Sequence, residues 1–155
     1  METKTNVMRT LDKMQIEYIS HCYAHTGVIS GVDVATVLNK NPKQVFKTLV
    51  TAGNSKKYYV FVIPVSEELN LKKAAQSLQE KSIEMIKAKE LLPLSGYVHG
   101  GCSPIGMKKM FITTIDASAA AVATILFSAG KIGFQVEMSL AELKKVLNYT
   151  LADVV

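Results

Sequence analysis

The stretch QVFKTLVTAGNSKKYYVFVIPV, residues 44 to 65, constrains the fold most. Two runs rich in β-branched, aromatic and aliphatic residues flank the turn-prone GNSK, which predicts a β-hairpin. Both runs are almost continuously apolar, the mark of strands covered on both faces, so this hairpin needs helices or a second sheet against it. The rest of the chain supplies them. Thr5 to Met14 carries Val7, Met8, Leu11 and Met14 at three- and four-residue spacings, an amphipathic helix, and EYISHCY (17 to 23) alternates like a strand. Ser30 to Leu38 predicts a second helix ending near NKNP, Asn70 caps a third through LKKAAQSL, and KSIEMI predicts a short strand. After a loop at 98 to 106, MFITTID and VATILFS predict strands, AGKIG a tight turn and FQVEM the returning strand. Ser139 followed by Glu142 predicts a capping box opening a last helix, LAELKKVLN. Hairpins mixed with helices, without linker or repeat, indicate one α/β (α+β) domain over residues 1–155 with a mixed, curved sheet.

Length and composition bound the function. The 155 residues are enough for one domain with a real core, and 48% apolar with 20% charged residues is ordinary for a globular chain. No segment approaches the ~18 consecutive apolar residues of a membrane span, and METKTNVMRT lacks the apolar core of a secretory signal. A cytoplasmic protein with no membrane partner is expected. Cys22 and Cys102 have no short spacing that would make a redox motif or zinc knuckle. The net charge of +5 arises from 17 lysines and one arginine against 13 acids, which permits a polyanionic partner without requiring one. The pairs Lys56-Lys57, Lys72-Lys73, Lys108-Lys109 and Lys144-Lys145 each read singly as a solvated face; together they keep nucleic acid in view.

Lys47 is the anomaly in the hairpin. On a strand it shares a face with Val45 and Leu49, opposite Phe46, Thr48 and Val50. A fully desolvated ammonium without a partner costs several kcal/mol or moves its pKa down by roughly 3 to 5 units. Three arrangements avoid that cost: an edge position from which the stem snorkels, a pair with a buried acid, or a cleft wall where the charge awaits an anion. The second unusual feature is VHGGCSPIGMKK (98–109), which sets Gly100, Gly101, Pro104 and Gly106 around Cys102 and Ser103. Such a loop lets backbone N–H and C=O groups approach a ligand directly. It matches neither the P-loop spacing GxxxxGK(S/T) nor a dinucleotide GxGxxG.

QVFKTLV, the GGCSPIG loop, the N-terminal KTNVMRTLDKMQIEY and the SAGKIG turn before a VE-containing strand together resemble the YbaK/EbsC family. These are freestanding relatives of the editing domain inserted in bacterial prolyl-tRNA synthetase, and the resemblance runs in order along the chain. It implies a barrel-like mixed sheet surrounded by helices, no cofactor, and deacylation of mischarged tRNA, with the nearest likeness to deacylases of Cys-tRNA(Pro). Position by position, the family's functional lysine falls on Lys47 and the tyrosine of its HxY strand on Tyr23. The GxxxP substrate element falls on Gly100 to Pro104, enclosing Gly101, Cys102 and Ser103. Gln135 occupies the position where some members carry an acid, and Ile132 stands where an arginine usually follows the glycine turn. Lys108 and Lys109, after the loop, are the candidate RNA contacts. The partners implied are the aminoacylated 3′ end of a tRNA and a transient complex with prolyl-tRNA synthetase; oligomeric state is left open.

These residues make chemical sense in that role. An aminoacyl ester is already activated, so orientation matters more than a strong nucleophile. Lys47 as a cation would hold the ester or terminal phosphate, and loop N–H groups near Gly101 and Cys102 would polarise the carbonyl. Cysteine and proline are close in volume, and a methylene is worth only about 1 to 3 kcal/mol, so size alone discriminates poorly. In the YbaK-like mechanism the substrate's own thiol attacks its ester carbonyl, which proline cannot do. Other residues have simpler readings. Cys102 lacks an evident base and reads as a small lining residue; His21 and His25 fall short of the three or four ligands zinc takes, so no metal is expected. Tyr23 by itself is equally a core residue, Asp116 and Glu137 are candidate partners for lysines, and Met107 and Met110 are packing. Three alternatives stay open: a noncatalytic RNA-binding or regulatory module of the EbsC type, a thiol-dependent enzyme acting through Cys102, and an Ala- or Ser-tRNA deacylase of the same family.

Overall fold

The computed structural model describes residues 4–155, in the order α1 (Asn6–Lys13), β1 (Ile19–Cys22), α2 (Gly31–Val37), β2 (Phe46–Gly53), β3 (Tyr58–Pro64), α3 (Leu71–Leu78), β4 (Ile83–Met85), α4 (Leu91–Ser95), β5 (Ile112–Asp116), β6 (Ile125–Ser128), β7 (Phe134–Met138), α5 (Leu140–Leu143) and β8 (Thr150–Ala152). Three helices start at the polar residues that the sequence marks. The Thr5 hydroxyl accepts from Met8 N at 3.2 Å, Ser30 caps α2 by accepting from Asp33 N at 3.3 Å, and Asn70 Oδ1 accepts from Lys73 N at 3.0 Å. Val7, Met8 and Leu11 are the buried stripe of α1, which seats that helix on the core.

The strands form two sheets: β1-β7-β6, entirely antiparallel, and β4-β2-β3-β5-β8, in which β5 and β8 add in parallel to an antiparallel β2–β3 hairpin. The mixed, curved sheet is therefore two sheets joined at one place. Val45 bridges Leu126 of β6, Leu126 N donates to Gln44 O at 3.0 Å, and the Gln44 side-chain amide donates to the carbonyl and hydroxyl of Thr124 at 3.1 and 3.0 Å. Strand β3 is covered on both faces, as its continuous apolar run requires. Val60 and Val62 point into the main core with Phe127, Val136 and α1, while Tyr59, Phe61 and Ile63 pack on Ala74 and Ala75 of α3. Among the described residues no helix is long and apolar enough to cross a membrane.

The last predicted helix is shorter than its periodicity suggests. Ser139 Oγ accepts from Glu142 N at 3.2 Å, but the Glu142 carboxylate takes Glu17 N at 3.2 Å and Lys145 Nζ at 2.8 Å, so half of the capping box is made. The chain leaves α5 at Leu143 and returns to add β8 beside β5. That return also gives Asp116 its partners: Oδ1 accepts from Val154 N at 3.0 Å and Oδ2 from Ser118 N at 3.1 Å, where a lysine was expected.

Gly31 opens α2 against the end of the hairpin. A methyl group there would lie 2.3 Å from Val65 Cγ1 and 2.8 Å from its Cβ, close to the branch point where the valine has no freedom to yield. We expect Gly31→Ala to destabilise the fold by about 1 to 3 kcal/mol despite alanine's better helix propensity, read as a lower urea midpoint at unchanged m-value. An unchanged or higher midpoint would show that this contact is loose.

Candidate functional site

Between Val45, which bridges β6, and Thr51, where β4 begins to pair, no strand of the described residues lies beside the outer edge of β2. A cleft of 280 Å³ lies along this open edge. Phe46, Lys47, Thr48 and Leu49 all line it, although consecutive strand residues point to opposite faces. An approach along the edge is what exposes both faces at once. Tyr23, the start of α2, His99, Gly100 and Cys102 of the glycine loop, and Ser128 and Gln135 of the other sheet complete the walls.

The polar inventory of this cleft is unbalanced. Lys47 is half-buried, the lining contains no carboxylate, and among the described residues its ammonium has no ion pair or hydrogen bond. Of the three arrangements considered for this lysine, the buried acid is ruled out; the edge and the cleft wall turn out to be the same place. Gln135 Oε1 and Thr48 Oγ1 are buried without a hydrogen-bonding partner among the described residues. A buried polar atom left unpaired costs about 1 to 3 kcal/mol, so these two are places where a ligand's donors would be welcome. Tyr23 is buried, held by donation of its N–H to Gly133 O at 2.8 Å, and its side chain makes no hydrogen bond within the described residues.

The glycine loop divides its residues between the cleft and its own support. Gly100, at φ 86°, sits so close to Ile29 that a Cβ would lie 2.6 Å from the isoleucine Cγ2, and the two close one lip of the cleft. Gly101 does not line it: it faces the backbone of Lys131 and Ile132, 3.1 Å from Ile132 N for an added Cβ. Ser103 is fully buried and its hydroxyl accepts from Ile105 N at 3.3 Å, while Pro104 lines a depression on the opposite side with Lys109 and Lys145. Lys108 and Lys109 also part company, Lys108 lying in a separate groove with Arg9 and Lys131. Cys102 reaches the cleft as a buried thiol, and burial pushes its pKa up to about 11. About one thiol in ten thousand is then ionised at pH 7, which leaves it a neutral wall.

Ser128 and Thr48 were missed by sequence reasoning. Ser128 was within reach, because drawing the β6–β7 hairpin through the SAGKIG turn pairs Ser128 with Gln135 and sets both on one face. Thr48 was not, since alternation alone assigns it to the face opposite Lys47.

Two residues along β7 from Gln135, Glu137 holds together the wall behind the cleft. Its carboxylate accepts from Thr124 at 2.6 Å and from His21 Nε2 at 2.8 Å, and Lys40 Nζ lies 3.5 Å away. His21 is thus paired with an acid rather than with His25, and β1 ends at Cys22, before the register that would align them. Among the described residues no group of three or more histidines, cysteines or acids is placed to hold a metal. Burial by itself would raise the Glu137 pKa, but the hydrogen bonds from Thr124 and His21 and the Lys40 charge outweigh it and hold the carboxyl below its ordinary value of 4.5.

A two-sheet α/β domain that sets a cation, two orphaned polar atoms and a protonated thiol around one cleft has the groups to orient a polar ligand and, among the described lining residues, no activated nucleophile to attack it. The aminoacyl-tRNA editing domain model matches residues 25–146, and the chain belongs to that family. It is 38% identical over 154 residues to EbsC of Enterococcus faecalis, named as a candidate Cys-tRNA(Pro)/Cys-tRNA(Cys) deacylase, with 99% of this chain and 94% of that protein covered. The fold is similar to the crystal structure of the hypothetical protein APE2540, with a TM-score of 0.88 at 20% identity over 97% of this chain and 99% of that one. It is also similar to a crystal structure described as a candidate trans-editing enzyme for prolyl-tRNA synthetase, with a TM-score of 0.81 at 18% identity over 99% and 98% of the two chains.

Two outcomes follow for these groups. Iodoacetamide near pH 7 should label the exposed Cys22 and spare the buried, protonated Cys102, as located by peptide mass spectrometry; rapid labelling of Cys102 would mean an activated thiol. Because the folded pKa of Glu137 is depressed, its stabilisation is present above the unfolded value near 4.5 and lost as pH falls through the lower folded value. Glu137→Gln should therefore cost on the order of 1 to 2 kcal/mol at pH 7 and progressively less in acid. Parallel denaturation curves for the two proteins at all pH values would remove this account.

Proposed function

We propose that this protein is a trans-editing aminoacyl-tRNA deacylase that clears mischarged Cys-tRNA(Pro), with Cys-tRNA(Cys) as a second substrate. The observation that carries the reading is the cleft beside Lys47: a cation without an acid, two buried polar atoms without partners, and no ionised nucleophile. The α-ammonium of the aminoacyl group donates to Gln135 Oε1. Lys47 binds the ester carbonyl oxygen or the terminal phosphate of the 3′ adenosine, and loop N–H groups beside Cys102 share the developing oxyanion.

The substrate then supplies its own nucleophile. Its side-chain sulfur bonds to the ester carbonyl carbon, the bond to the ribose oxygen breaks, and the thiol proton passes to that oxygen. The products are a cyclic thiolactone and free tRNA. The protein contributes compact walls that fold the thiol toward the carbonyl, so that proximity replaces an enzyme nucleophile. Proline lacks the thiol and survives, which is how the site avoids the weak discrimination that size gives. A cytoplasmic setting and a transient complex with prolyl-tRNA synthetase, which would hand over the mischarged product, belong to the same proposal.

The test is deacylation of Cys-tRNA(Pro), Ala-tRNA(Pro) and Ser-tRNA by the wild type, Lys47→Ala and Cys102→Ala, with folding of each variant checked by circular dichroism. Fast release of cysteine, slowed about 10²-fold or more in Lys47→Ala and nearly unchanged in Cys102→Ala, is expected. Ser-tRNA should turn over much more slowly than Cys-tRNA(Pro). Equal rates for serine and cysteine would sink the thiol mechanism and favour a general Ala/Ser deacylase. No turnover of any substrate, with prolyl-tRNA synthetase present, would favour a noncatalytic RNA-binding module.

A further inference from the structure

Helix α1 separates two depressions of opposite charge. On one side Asp12, Glu17, Glu137 and Glu142 line a cavity with Lys4, whose ammonium pairs with Asp12 at 2.5 Å. On the other side a groove of 680 Å³ runs between α1, the β6–β7 turn and the segments flanking the glycine loop; Lys4, Arg9, Lys108 and Lys131 line it, and among the described residues no acid does. Solvated surface lysines are ordinarily interspersed with acids, so this sorting of charge needs an explanation.

Lys4 is neutralised by Asp12, whereas Arg9, Lys108 and Lys131 are held in place without a carboxylate partner among the described residues. Arg9, the sole arginine of the chain, donates from Nη1 to Asn6 Oδ1 at 2.8 Å, which orients the guanidinium and leaves its other donors free. Lys131 Nζ lies 5.6 Å from the centre of the Phe134 ring, and the Lys108 backbone is fixed by donation to Ser95 O at 3.1 Å. Among the described residues none of these three forms an ion pair with a carboxylate.

Position connects this groove to the cleft. Ser128 lines the cleft, and the next two residues, Ala129 and Gly130, line the groove; the Ser128 hydroxyl accepts from Gly130 N at 3.1 Å and ties the two together. Gly101 packs on Lys131 and Ile132 between them. We propose that the groove formed by Arg9, Lys108 and Lys131 receives the sugar-phosphate backbone of the acceptor end of an RNA whose 3′ terminus occupies the cleft. This rests on the aminoacyl-tRNA reading of the cleft and adds where the polyanion leaves it. Three phosphates held this way make binding salt-dependent and indifferent to base sequence.

The experiment is fluorescence anisotropy of a labelled, uncharged acceptor-stem hairpin ending in single-stranded CCA, titrated from about 50 to 200 mM salt. The triple variant Arg9→Gln, Lys108→Gln, Lys131→Gln is compared with a charge-matched control, Lys56→Gln, Lys72→Gln, Lys81→Gln, whose three lysines are exposed in the β2–β3 turn, on α3 and in the segment before β4. The groove variant should bind at least tenfold more weakly at low salt and lower the slope of log K against log salt by about two to three; the control should change it by less than one. Equal losses in both, no loss in the groove variant, no salt-dependent binding by the wild type, or equally effective competition by polyglutamate would overturn the assignment. Failure of the deacylase reading looks different. RNA that binds through the groove without being deacylated leaves the groove standing, whereas normal kcat and KM of the groove variant on full-length Cys-tRNA(Pro) removes the groove and leaves the deacylase.

Discussion

The junction at Gln44 and Val45 is the constraint on which the site depends. There the hairpin strand hydrogen-bonds simultaneously to Leu126 of the small sheet and, through Val45 O, to Val65 N at 2.8 Å. One residue later the strand belongs to the large sheet alone. Beyond that junction, and up to Thr51, no strand of the described residues pairs with this edge of β2, and the cleft lies along it with walls from both sheets. Its polar wall comes from Ser128 and Gln135 on one sheet and from Lys47 and Thr48 on the other, so neither sheet alone contains the site.

The same geometry explains why an uncompensated lysine is tolerated. At a fully enclosed position its desolvation would favour loss of the proton or recruitment of an acid. At an open strand edge the stem packs along apolar neighbours while the ammonium keeps contact with water at the mouth. The stability cost falls instead on Gln135 Oε1 and Thr48 Oγ1, which are buried and unpaired. That cost is offset when a ligand with donors arrives, which is preorganisation: the polar groups are already oriented before the reacting group enters. Two residues along β7 from Gln135, Glu137 bonds to His21 of β1 and to Thr124, the residue before β6, and so ties the three strands of the small sheet together.

Much of this was legible in the chain. The hairpin, the α1 stripe, the three polar N-caps and the β6–β7 hairpin all follow from local signals, since each is built from residues close in sequence. The oddness of Lys47 and of the glycine loop was visible because each breaks a local rule. What stayed hidden is non-local. The short α4 contains Pro93, and β8 is three residues whose only reason to be extended is the neighbouring β5. Lys108 and Lys109 read as one basic pair, yet they enter different depressions on either side of Gly106, because adjacent residues in an irregular segment need not share a face. Asp116 read as a lysine partner, but its oxygens are taken by backbone N–H groups that only the returning C-terminus brings near.

The state of Cys102 bears on the chemistry as well as on packing. A protein thiolate beside an activated aminoacyl ester would attack it and trap the acyl group on the enzyme, where any amino acid, proline included, would react alike. Selectivity by the substrate's own thiol therefore demands that the wall's thiol stay silent. Burial accomplishes this by raising the Cys102 pKa to about 11. In the mechanism proposed above, a substrate cysteine with the ordinary thiol value near 8.5 would be roughly two orders of magnitude more ionised at neutral pH than Cys102, and the wrong amino acid would be removed by a group that the right one does not possess.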